Sequence, residues 1–101
     1  MTFRVVIEAE AEAEFAEAVA FYDEREPGLG QRFAREVREV FREVCEDPER
    51  FRRASRLTRK ARVFGWPHSV YYAIRAQTGE VVITTVWHGA RNPAELRRRL
   101  K

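Results

Sequence analysis

A chain of 101 residues is enough for one domain and too short for two separate cores. Hydrophobic residues make up 45% of it, with seven Phe, three Tyr and two Trp, so one helix layer on one sheet can be filled. The net charge is only +3, yet residues 1–49 carry 6 Arg and 14 acids (net −8) while residues 50–101 carry 13 Lys or Arg and 2 acids (net +11). That asymmetry points to a polyanion or an acidic protein as partner, or to two halves that neutralise each other on folding. No apolar run approaches the ~20 residues that cross a bilayer, so no membrane partner is expected. The opening "MTFRVVIEAEAE" has neither the basic start nor the long apolar stretch of a signal peptide. Cys45 is the only cysteine and cannot form an internal disulfide, so a reducing, cytoplasmic location is the expectation.

In chain order, "TFRVVI" places Phe3, Val5 and Ile7 on one face at period two and predicts a strand. The Glu/Ala run that follows favours helix over strand by propensity. Ala11, Phe15, Ala18, Val19 and Tyr22 form one apolar helical stripe. Glu10, Glu12, Glu14 and Glu17 suit the helix start electrostatically and read as a solvated face. "EPGLGQ" breaks the helix at Pro27, with Gly28 and Gly30 expected to make the turn. A second helix is predicted from about Gly30 to Glu46, with Phe33, Val37, Val40, Phe41 and Val44 as its stripe and Asp47-Pro48 as its stop. The two helices form an antiparallel hairpin whose stripes need a sheet to cover them.

"ERFRRASRLTRK" is a basic, weakly patterned connection. Strands are predicted in "ARVF", "VYYAIRA" and "VVITTVWH", with "GWPHS" and "QTGE" as turns. Residues 81–88 are nearly all apolar or Thr, the pattern of a central strand. "NPAELRRRLK" predicts a short basic helix with Asn92 as N-cap and Pro93 first. The fold class is α+β in the order β-α-α-β-β-β-α, a helix hairpin packed on a small antiparallel-rich sheet, as one domain over residues 1–101.

His68, His88 and Cys45 are too few and too scattered for zinc, and no metal or cofactor is expected. Cys45 reads as a packed thiol, and no Ser or Cys sits in a nucleophile signature. Adjacent Tyr71 and Tyr72 point to opposite strand faces, so at least one belongs to the core. Lys60 and Arg62 share a face by period two, Arg59 precedes them, Arg75 ends the next strand, and His88 and Arg91 leave the last. Such cations could bind phosphate, or stabilise a phosphorane in RNA cleavage while a His or Tyr moves protons. They could equally be strand-edge charges that deter aggregation.

The chain as a whole resembles the RelE/ParE superfamily of type II toxins. The resemblance is carried by the element order and by "AFYDEREPGLGQRF", "RVFGWPHSVYYAIR" and "VVITTVWHGARNPAEL". It implies a small toxin neutralised by a cognate antitoxin in a toxin–antitoxin hetero-oligomer, the antitoxin packing on the helix hairpin and sheet edge. Phe15, Tyr22, Phe33, Arg59, Arg75, Arg97 and Arg98 are the antitoxin- or target-binding candidates this implies. ParE-like members resemble inhibitors of DNA gyrase without catalysis; RelE-like members resemble endonucleases that cut mRNA on the ribosome. Lys60, Arg62 and Arg91 match the nuclease members' cations, with His88 a candidate proton carrier. Where those members place an Arg at the start of the third strand, this chain has Ser69, and a Tyr of the terminal helix is replaced near Arg97. Losing one charge stabiliser typically costs ~10²–10³ in rate, so the expectation is a ParE-like toxin, with the mRNA endonuclease as alternative. A non-toxic module that only binds an antitoxin is the third reading.

Overall fold

A parallel pairing between the first strand and the last closes the sheet. The structure, a computed structural model, describes residues 2–100; Met1 and Lys101, the latter the last residue of the predicted terminal helix, lie outside the described residues. The order is β1 (Arg4–Ile7), α1 (Ala9–Arg25), α2 (Leu29–Glu46), β2 (Arg59–Arg62), β3 (His68–Arg75), β4 (Glu80–His88) and α3 (Pro93–Arg99). The sheet order is β1-β4-β3-β2, with β1 parallel to β4 and the other pairs antiparallel. The α+β class and the element order are as the sequence predicts. The apolar run of β4 is central because it pairs on both sides, as its composition requires. No helix among the described residues is long and apolar enough to cross a membrane.

The helix hairpin covers one face of the sheet. Every position of the predicted α1 stripe packs into the core, and Phe33, Val37 and Val44 of α2 are fully buried. Each such side chain contributes about 1.5–3 kcal/mol on burial. They meet Val70, Tyr72, Val81, Ile83 and Val86 of the sheet. Tyr72 is completely buried and donates from its hydroxyl to the Pro48 carbonyl at 2.5 Å. Tyr71 is also buried, but on the opposite face with Trp87 and Leu100. Both tyrosines are therefore core, one to each layer.

The glycines divide their labour differently from expectation. Gly28 takes φ +89° and caps α2, as a turn glycine should. Gly30 is inside the helix, and a Cβ there would lie 2.3 Å from the Val19 carbonyl oxygen, so it permits close helix contact instead. The Asp23 carboxylate accepts from the Gly28 and Gly30 amides at 3.0 and 3.2 Å and so caps α2 from α1. At the other end of the chain Asn92 accepts from the Ala94 amide at 2.9 Å, the predicted cap.

β3 begins at His68, inside the predicted "GWPHS" turn, and β2 ends at Arg62 rather than running through "ARVF". A register shift between Tyr71 and Tyr72 lets both ends of β3 pair with β4.

Candidate functional site

Two surfaces stand out, one on each side of the sheet. On the hairpin side, α1, α2 and β1 enclose an apolar groove of about 790 Å³. Phe3, Val5, Ile7, Phe15, Val19 and Phe41 are among its lining residues, with Arg38 and Arg42 also on its wall. Phe15 holds the floor by edge-to-face packing on Phe33 and Phe41, at 6.1 and 5.9 Å between centroids. Val5 remains 42% exposed on the groove wall. Cys45 lines the same groove, and burial raises its thiol pKa.

On the other side, Lys60 and Arg62 of β2 face away from the helices, because Ala61 between them is buried in the core. Lys60 pairs with Tyr71 in the ladder, and its ammonium sits 5.9 Å over that ring. Arg52, Arg53 and Arg97 join Lys60 and Tyr71 around a hollow of about 390 Å³. Burial raises the Tyr71 phenol, and the charge of Arg52 opposes that shift. Sequence reasoning missed Arg52 and Arg53, which sit in the connection read as weakly patterned. Their signal was a run of arginines with no acid between Arg50 and Lys60.

The four nuclease candidates do not converge. His88 pairs with His68 across the ladder, their rings 5.0 Å apart, and both face the helix hairpin. Trp87, the next residue back, points to the Lys60 side. His88 is therefore on the opposite sheet face from Lys60 and Arg62. Its Nδ1 accepts from the Ala90 amide at 2.9 Å. His68 is buried with Nδ1 unpaired; burial, then the neighbouring His88, pushes its pKa down to about 4.

Arg91 is already engaged. Its guanidinium stacks on Trp87 at 3.8 Å and donates to Glu14 Oε2 at 3.1 Å. Glu14, read from sequence as part of a solvated face, is a partly buried node. It accepts from the Thr85 hydroxyl at 2.6 Å and from Arg99 at 2.7 Å, tying α1, β4 and α3 together. Arg99 also donates to the Thr84 carbonyl at 2.8 Å.

The remaining candidates fall into three groups. Phe33 has no exposed area, so it supports the groove from beneath and cannot touch a partner itself. Tyr22 is half-buried against Phe33 and Trp66. Arg59 is spent on the Glu49 and Phe51 carbonyls, which fixes the loop before β2, and Arg75 lies 3.8 Å from Glu80. Arg97 and Arg98 are exposed on α3. Among the described residues, no three His, Cys, Asp or Glu side chains gather as a metal site.

A four-stranded sheet with this order, carrying a helix hairpin on one face and a basic hollow on the other, is the RelE/ParE toxin fold. Solved structures that share it include the following two. One is the chromosomal ParDE system from P. aeruginosa (TM-score 0.74, 14% identity, 86% of this chain and 96% of that one). The other is a mutant of the E. coli toxin RelE in the free state (TM-score 0.73, 15% identity, 98% and 94%). No curated protein matches the chain. Residues 5–93 match the family described as "ParE toxin of type II toxin-antitoxin system, parDE", and the chain belongs to that family.

Proposed function

We propose that the protein is a growth-inhibiting toxin that acts by binding an essential target such as DNA gyrase, without turnover of its own, and that a cognate antitoxin neutralises it. The observation that carries this reading is the split of the nuclease candidates between two sheet faces. Acid–base catalysis needs the proton carrier within hydrogen-bond reach of the reacting group, about 2.6–3.2 Å. A phosphate held over Lys60 and Arg62 has the sheet between it and His88. Ser69 and Arg97 stand where the RelE-like members carry Arg and Tyr, so the electrostatic set is also incomplete.

The apolar groove is the proposed antitoxin seat. An amphipathic segment lays its apolar side into such a groove, and acids on its rim would meet Arg38. Val5→Asp should therefore abolish co-purification with the antitoxin. The alternative, an mRNA endonuclease on the ribosome, draws on the Lys60 hollow, with Tyr71 as its phenol. Supercoiling by purified gyrase, and mapping of message ends on programmed ribosomes, separate the two. Blocked supercoiling with intact message is the expected result. Gyrase untouched at micromolar protein, with messages ending in cyclic phosphates, overturns it.

A further inference from the structure

The cations on the outer sheet face form a surface that the antitoxin groove does not use. Arg52, Arg53, Lys60, Arg62 and Arg97 have no carboxylate within salt-bridge distance among the described residues. Arg42 by contrast meets Glu39 and Glu46, and Arg99 meets Glu14; Arg32 and Arg35 on α2 are also without a carboxylate among the described residues, but only on the outer face do four such cations gather around one hollow with an aromatic floor. Unmatched like charges on one rigid face repel each other, and an anion relieves that repulsion.

We propose that this face binds the phosphate backbone of duplex DNA, independently of sequence. The rings on the face decide which nucleic acid fits. Proteins that hold single strands stack the bases on open aromatic rings. Here Tyr71 is 5% and Trp87 3% exposed, beneath Lys60 and Arg91 respectively. No ring is free to receive a base, so the face offers only charge, and charge suits a regular double helix. Arg52, Arg53, Lys60 and Arg97 stand on the α2–β2 connection, a strand and a helix around one hollow, with Arg62 beside it on the same strand. The place where the DNA is met rests on the gyrase reading: the toxin would engage the enzyme together with the duplex it is acting on.

The test is fluorescence anisotropy with a labelled mixed-sequence duplex over a salt series. One phosphate for each of the four cations around the hollow predicts a log–log slope of about −3.6 for the wild type. Arg52→Ala with Arg53→Ala should lower the magnitude of that slope by about 2. Arg97→Glu, on a different element, should also flatten it, which guards against a local folding fault in the loop. Arg32→Ala with Arg35→Ala removes the same charge from exposed sites on α2 and should leave the slope unchanged. No duplex binding at low salt, an equal loss in the α2 control, or tighter binding to single-stranded RNA of the same length would each overturn the proposal. Gyrase is absent from this measurement. A wild type that binds duplex yet leaves supercoiling untouched refutes the gyrase reading and leaves the DNA surface standing.

Discussion

Crossing from the hairpin side of the sheet to its outer side, the contacts change from interlocking rings to guanidinium groups laid over two rings. Phe15, Tyr22, Phe33, Trp66 and His68 touch one another edge-on beneath the helices. Outside, the buried cluster is the small one of Tyr71, Trp87 and Leu100, with Lys60 over Tyr71 and Arg91 over Trp87. One side derives its energy from shape and the other from a small apolar patch under charge. Stability and partner recognition are therefore separable by mutation.

The largest expected effect is on the inner side. Phe33→Ala should cost about 3–5 kcal/mol in chemical denaturation, since its site is enclosed by α1, β3 and the β2–β3 turn. Next comes the node that joins the two sides. Glu14→Ala leaves the largely buried Arg99 only the exposed Glu10 at 3.6 Å, and about 2–4 kcal/mol should be lost. A loss as small as that of an exposed pair would show that α3 docks without Glu14.

The third expectation concerns pH. His68 has a folded pKa near 4 against 6.5 unfolded, so the unfolded chain takes up the proton first. Its contribution is complete above about pH 6.5 and drains away down to about pH 4, on the order of 3 kcal/mol in total. Thermal unfolding of His68→Gln should lack this part of the acid slope. A mutant with the same slope as wild type would place the acid sensitivity in the carboxylates. The smallest effect belongs outside: Arg62→Ala should change stability by less than about 0.5 kcal/mol. A larger loss would mean that the outer charges support the fold after all.

What was legible in the sequence follows the same division. The α2 stripe, the central β4 and the Asn92-Pro93 start all carry local patterns, because each is fixed by periodicity or by backbone chemistry. Side-chain direction at strand ends was not legible. His68 looked like a turn residue, and one added strand position there sets which face His88 shares. Glu14 was hidden among like residues, since only β4 and α3 distinguish it from Glu10, Glu12 and Glu17. Gly30 read as turn chemistry because the approach of Val19 depends on how two helices cross. The Lys60 hollow needed the loop at Arg52 and Arg53 to fold back, and no local pattern announces that.

β1 is synthesised well before the strand it pairs with. Its strand partner is β4, and Arg4 and Glu80 are 76 positions apart. As the chain leaves the ribosome, β1 and α1 emerge long before the residues that α1 and β1 pack on. Pairings over that separation are slow to close. Until residues 80–88 arrive, the α1 stripe has no β4 to rest on and β1 has no strand to pair with. A message cut short before the codons for residues 80–88 leaves β1 without its partner strand and should yield no folded chain.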